Sequence, residues 1–212
     1  MSNTTGRHLT SWVLVAAGLL LVGGGLYWWH TQEPQPVAAG SRGLGIHSGS
    51  TLAPLPDAVP ASWKPGAPDR VRIPALRVDV PVVPIQTVGS TLTPPSNPQE
   101  LGWWAGGAAP GAKTGSALIT GHTVHTGGGA LDDLADLQPG DAVSVAIRGS
   151  DKPLRYEVVR VHSYGKGALA KKAKQVFDQT VPGRLVLITC ADWNGVEYES
   201  NTVVTAKPAY KL

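Results

Sequence analysis

The sequence predicts an all-β domain that closes, or nearly closes, into a barrel. Three observations lead there. Gly (26) and Pro (18) abound, strong helix formers are sparse and Val and Thr recur, a balance that suits short strands joined by many turns. Six to eight short apolar or β-branched runs follow one another after residue 70, and that many short strands remove their open edges most simply by closing on themselves. With 212 residues, 42% hydrophobic and 16% charged, and no internal repeat, the chain supports one well-cored domain plus appendages and excludes wholesale disorder.

Residues 1–10 contain Arg7 and no acidic residue. Ser11 to Trp29 form 19 consecutive positions without a charge, which as a helix would span about 28 Å, close to the hydrocarbon thickness of a bilayer. Tyr27, Trp28 and Trp29 close this stretch as an interfacial anchor would. The expectation is a single membrane helix over 11–29, with the N-terminus in the cytoplasm and everything after it outside. A cleavable signal peptide competes with that reading, Val37, Ala38 and Ala39 resembling a cleavage site, but the apolar core is long for a signal and the site lies well beyond it. His30 to Asp69 holds seven Pro and five Gly without apolar periodicity and reads as an extended tether over 30–69. Residues 70–212 are then one compact domain.

Within that domain, Val71–Ile73 and Val78–Ile85 are β-branched runs interrupted by Pro74, Pro81 and Pro84, which suits edge or bulged strands. Ser116–His122 reads as a further strand. Val143–Ile147 alternates cleanly after the turn residues Gln138 to Asp141, and Leu154–His162 places Tyr156 and Val158 on one face against Glu157, Val159 and Val161 on the other. Arg184–Cys190 and Thr202–Ala206 add two more runs, joined by an 11-residue polar stretch centred on Asn194 and Gly195. Short helices are expected at Leu131–Leu137 and near Glu100–Trp104.

Cys190 is the only cysteine, so no intramolecular disulfide explains it. It ends the run Arg184 to Thr189 beside a polar loop, where a side chain is held rigidly yet stays reachable; a small buried hydrophobe is the plain alternative. A thiol becomes a nucleophile near neutral pH with a histidine close in space. His8 and His30 flank the apolar segment and His47 lies in the tether, leaving His122, His125 and His162. His122 ends the strand Ile119, Thr120, Gly121 before the turn Gly127 to Gly129. It is preferred over the loop-borne His125 for that strand-end placement.

Leu187, Ile188, Thr189 and Cys190 resemble the TLxTC signature of sortases, most closely over Ile188 to Cys190, and Thr120, Gly121 and His122 resemble that family's TGH motif. Similarity extends through Arg72, Ile73 and Pro74, through Gly102 to Trp104, and through Asn201 to Ala206, so it covers nearly all of 70–206; it is greatest toward the actinobacterial class F or class E enzymes. The resemblance implies a closed eight-stranded barrel with short helices, cleavage of an LPxTG-like sorting signal between Thr and Gly by Cys190, and His122 as the acid that protonates the departing amine. It further implies two partners, the protein bearing the sorting signal and an amine acceptor such as a peptidoglycan precursor, and a role for Thr189 in orienting the substrate or its oxyanion.

One departure from the family pattern stands out. Sortases carry an arginine on or near the strand after the cysteine, and this chain has none between Cys190 and Leu212. Arg184 is six residues away, about 20 Å along a strand. Arg77, Arg148, Arg155 or Arg160 from a neighbouring strand, or the neutral donors Asn194 and Asn201, are the replacements to weigh, with loss of activity as the other outcome. A carboxylate such as Glu197 or Glu199 accepts hydrogen bonds and cannot replace a guanidinium. No cofactor is expected: His122 and His125 with one cysteine make a weak metal set, and the Gly127–Gly129 turn lacks the context of a phosphate loop. A net charge of +3 with scattered Lys and Arg argues against nucleic acid.

Overall fold

The computed structural model describes residues 57–89 and 91–209. The nine strands are β1 (Val59–Pro60), β2 (Pro68–Ile73), β3 (Val78–Gln86), β4 (Leu101–Trp104), β5 (Ser116–Thr120), β6 (Ala142–Ile147), β7 (Leu154–Gly165), β8 (Arg184–Trp193) and β9 (Tyr198–Pro208), with one helix, α1 (Lys166–Val176), between β7 and β8. Hydrogen bonding runs β3-β2-β6-β7-β9-β8-β5-β4, and β4 pairs back onto β3, so eight strands close into a barrel with the two-residue β1 appended to β3. The expected all-β barrel is therefore present.

Closure depends on β3 changing partners. Its first half pairs with β2 through Arg70↔Pro81 to Ile73↔Val78, and its second half runs parallel to β4 from Val82↔Leu101 to Ile85↔Trp104. Pro81 and Pro84, which lack the N–H a doubly paired strand would use, sit in this half-paired strand as the prolines suggested. The barrel interior is filled by inward-facing side chains such as Val71, Ile73, Trp103, Ile119, Tyr156 and Leu187, each essentially inaccessible. Each contributes roughly 1.5–3 kcal/mol on burial.

Strand β8 is buried on both faces, which is why Leu185 to Ile188 reads as an unbroken apolar run. Leu185 and Leu187 point into the barrel, whereas Val186 and Ile188 point outward with Leu118 and Val203 into a second cluster covered by Leu169, Val176 and Phe177. This second cluster attaches α1 to the outside of the barrel.

Several expectations change. Residues 57–69, assigned to the tether, are part of the domain: β1 pairs with β3, Ala67 is fully buried and the Lys64 ammonium donates to the Ala105 carbonyl at 2.7 Å. The remainder of the tether, the cytoplasmic segment 1–10 and the membrane helix over 11–29 lie outside the described residues; among the described residues no helix is long and apolar enough to cross a membrane. The helical turn expected near Glu100–Trp104 is strand β4 instead, because its backbone groups are drawn into pairing with β3 and β5. The helix expected over 131–137 is reduced to a 3-10 turn, Leu134–Asp136, with Leu131, Leu134 and Leu137 buried in the barrel core. In β7 a bulge between Val158 and Arg160 shifts the alternation, so Val161 packs on the core and Val159 is exposed. The stretch after Cys190 is a tight hairpin: β8 runs on to Trp193 and β9 begins at Tyr198.

Candidate active site

The parallel pairing of β5 and β8 builds the site. Their register reaches Thr120↔Ile188, and Gly121 N–H donates to the Ile188 carbonyl at 3.2 Å. His122 and Cys190 each lie two residues beyond that last pair, where the two segments stay tied by Thr189 Oγ1 on the Gly121 carbonyl and Thr123 Oγ1 on the Cys190 carbonyl. Sequence separation hides this proximity; parallel register creates it.

Cys190 continues the outward face of Val186 and Ile188 and is half-buried. It opens into a groove of about 360 Å³ whose walls include Leu92 and Pro94, Leu169 of α1 and Phe177 just beyond its end, and Leu118 and Ile188. The groove is mostly apolar, and Cys190 is part of its lining. A larger cavity of about 890 Å³, bordered by Arg72, Arg77 and Arg155, lies elsewhere on the barrel and does not include Cys190.

His122 is 8% exposed. Its imidazole donates to the backbone carbonyl of Pro95, which leaves Nε2 buried without a hydrogen-bond partner. Burial is the larger influence and lowers its pKa from 6.5, and the Pro95 bond works against that shift. Nε2 is thus a vacant proton-transfer nitrogen next to the cysteine-bearing strand. His125 is exposed and stacks on Trp193, with centroids 4.3 Å apart and planes 9° from parallel, while His162 packs edge-on against Tyr164 on β7. None of the three histidines lines the groove, but His122 directly follows Gly121, which does.

Thr189 is among the residues that line the groove. Its side chain is buried, donating to the Gly121 carbonyl at 2.9 Å and contacting Thr123 Oγ1 at 2.7 Å, and Thr123 Oγ1 in turn donates to the Cys190 carbonyl at 2.6 Å. The pair clamps the cysteine strand to the histidine loop. The same loop is braced by Asp132, whose carboxylate accepts from Val124 N at 2.7 Å and Gly129 N at 2.9 Å, and by the Tyr198 hydroxyl, which donates to the Thr123 carbonyl at 2.7 Å. A Cβ on Gly129 would lie 2.7 Å from the His122 carbonyl oxygen, so this position needs glycine.

Of the two asparagines weighed as donors, the structure brings Asn201 to the cysteine. Cys190 and Asn201 are direct cross-strand partners, with Nδ2 3.8 Å from Sγ and 3.3 Å from the Thr189 carbonyl. Asn194 is a turn residue: Oδ1 accepts from Val196 N and Glu197 N, and Nδ2 donates to Glu199 at 2.9 Å. Among the described residues no arginine lines the groove. Arg184 is fixed at the far end of β8 on Ser116 Oγ and the carbonyls of Gln175 and Val176, and Arg148 lies over the Trp63 ring. Asp192 adopts a left-handed φ of 58° and accepts a short hydrogen bond from Ser200, a backbone irregularity two residues past the thiol that no sequence pattern announced. Among the described residues no three metal-ligating side chains converge.

A nucleophile and a neutral donor thus line one apolar groove, with a proton-transfer nitrogen on the adjoining segment, an arrangement suited to acyl transfer from an extended peptide. A family model of the sortase domain matches residues 71–209. Solved structures agree: sortase C-1 from Actinomyces oris is 25% identical, with a TM-score of 0.51 over 67% of this chain and 73% of that one. A lid mutant of sortase A from Corynebacterium diphtheriae is 21% identical, with a TM-score of 0.53 over 68% and 71%. A Clostridium perfringens sortase D5 transpeptidase is 17% identical, with a TM-score of 0.51 over 68% and 79%. No curated protein matches the chain in sequence.

Proposed function

Since the chain belongs to the sortase family, we propose that it is a cysteine transpeptidase that cleaves an LPxTG-type sorting signal between Thr and Gly and passes the acyl group to an amine. The observation that supports this most is that Cys190 and Asn201 line the groove as cross-strand partners while the neighbouring segment carries His122 with its Nε2 unpartnered. In the first half-reaction neutral His122 takes the Cys190 thiol proton on Nε2 and the thiolate adds to the Thr carbonyl carbon. The tetrahedral intermediate then collapses, the C–N bond breaks, and His122 Nε2–H⁺ gives that proton to the departing Gly amine, leaving a thioacyl enzyme. In the second, an acceptor amine adds to the thioester while neutral His122 takes its proton, the C–S bond breaks, and the departing thiolate recovers the proton from His122. The apolar walls suit the Leu and Pro of such a signal, and water exclusion strengthens the polar interactions at the thiol.

In this reading the Asn201 amide takes the position of the donor that the family fills with arginine. It aids the developing oxyanion as a neutral hydrogen-bond donor. The acceptor is a cell-wall precursor amine or a second protein, and the enzyme is held by a single N-terminal helix over 11–29 with its barrel on the outer side of the membrane, a placement supported by the uncharged stretch and its aromatic border. The absent arginine favours one rival, a catalytically impaired domain that binds the peptide; a hydrolase releasing the cleaved protein to water is the other. The test incubates the full chain with a quenched LPxTG peptide, with and without an amine acceptor, beside Cys190→Ala. Amine-dependent ligation lost in the variant supports the transpeptidase, cleavage without ligation supports the hydrolase, and binding without turnover supports the impaired domain.

A further inference from the structure

On the far side of α1 from Cys190 lies a second concavity, about 330 Å³, whose charged side chains are Arg160, Lys172 and Arg184, beside His162 and against an apolar wall of Val176 and Val203. Several surface cations elsewhere on the barrel are paired. Arg70 and Arg72 pair with Asp79, Arg148 with Asp69, and Lys207 with Glu157. Among the described residues no ion pair engages Arg160 or Lys172, although both face the same hollow. The carboxylate of Asp178, which feels the Arg184 charge, is held by Thr180 and is not part of the lining.

The hollow is also organised in advance. Arg184 is locked by Nε on Ser116 Oγ at 2.9 Å and by Nη2 on the Gln175 and Val176 carbonyls at 3.1 and 2.9 Å, so its guanidinium needs no ordering on binding. Arg160 is fixed in register on β7 opposite Thr205, itself a lining residue with a hydroxyl to offer. Counting strands and residues from the register, Arg160 stands about 16 Å from Cys190. That is too far to serve the thiol.

We propose that this hollow binds a phosphate-type anion, a pyrophosphate or phosphodiester group. A lone carboxylate is satisfied by one guanidinium fork, whereas two guanidinium groups and an ammonium on one concavity match a group with several acceptor oxygens and more than one charge. Val176 and Val203 give the carrier of that group an apolar surface to lie on. The site is separate from the groove at Cys190 and stands whether or not the chain transfers acyl groups.

The test is calorimetric titration of the full chain, in a neutral detergent at low and moderate salt, with inorganic pyrophosphate. The expected result is saturable one-site binding that weakens with salt. Affinity should fall about tenfold or more for each of Arg160→Gln and Lys172→Gln, and stay unchanged for Arg70→Gln, with all three variants melting like the parent. Competition by dihexanoyl phosphatidylglycerol, but not the phosphatidylcholine, below the micelle concentration would assign a lipid headgroup as the source; absence of competition would leave the free anion. Either supports the site. Binding that does not saturate, or that falls equally in Arg70→Gln, is counter-ion screening alone and overturns it.

Discussion

Replacing Asn201 by alanine removes the side-chain amide that faces the thiol across the strand pair while leaving the strand pairing of β8 and β9 intact. Taking away a well-placed oxyanion donor costs about 2.7–4 kcal/mol in the transition state. Asn201 Nδ2 stands 3.8 Å from Sγ and shares its protons with the Thr189 carbonyl at 3.3 Å, so the cost falls below that range. At 1.36 kcal/mol per decade, a loss of about 1.5–2.7 kcal/mol is a fall of roughly 10–100-fold. The assay is steady-state cleavage of a quenched sorting peptide with kcat and KM resolved. An interaction made chiefly in the transition state lowers kcat and kcat/KM together and leaves KM within about twofold. Asn201→Arg, which restores the family's donor type, should keep measurable turnover. If Asn201→Ala keeps its kcat within about twofold of the parent, the amide has no part in the reaction and the donor must be sought elsewhere.

Three further outcomes follow from the same geometry. His122 is buried with its pKa lowered from 6.5, so the folded chain holds it neutral where the unfolded chain takes a proton; its stabilising contribution is present above pH 6.5 and is lost as pH falls through the folded value. Melting scans should therefore show the parent losing more stability than His122→Gln between pH 7 and pH 5, and turnover should vanish in His122→Ala but persist in His125→Ala. Thr189→Val leaves the Gly121 carbonyl and Thr123 hydroxyl without a buried partner, an expected loss of about 1–3 kcal/mol by chemical denaturation, with Thr189→Ser recovering most of it. Gly129→Ala forces a Cβ against the His122 carbonyl oxygen and the Asp132 carboxylate, and should lower both the melting temperature and kcat, at about 1–3 kcal/mol of stability.

Much of this was legible in the chain. Val143 to Ile147 alternates as a half-buried strand must, and Leu185 to Ile188 has the unbroken apolar character of a strand buried on both faces. Strand-end placement singled out Cys190, and resemblance favoured His122 over His125, whose ring is stacked on Trp193. The misreadings have physical causes. Gly102, Trp103 and Trp104 show no alternation, since β4 is defined by the two partners that capture its backbone. Helix α1 was missed, although Ala168, Ala170 and Ala173 among lysines form a run of good helix formers and Leu169 and Val176 attach it to the barrel. Asn201 could not be ranked above Asn194 until the register of β8 and β9 placed one opposite the thiol and the other in the turn. The Thr189 clamp was hidden for the same reason, as its partners lie 66 and 68 residues away.

The central claim is that Cys190 carries the acyl group. Intact-protein mass spectrometry of the full chain, quenched in acid during turnover of an LPxTG peptide without acceptor, tests it most directly. The account predicts an adduct equal to the peptide's acyl part through Thr, located on Cys190, released by hydroxylamine and absent from Cys190→Ala. Cleavage that continues in Cys190→Ala, or an adduct on another residue, would contradict it.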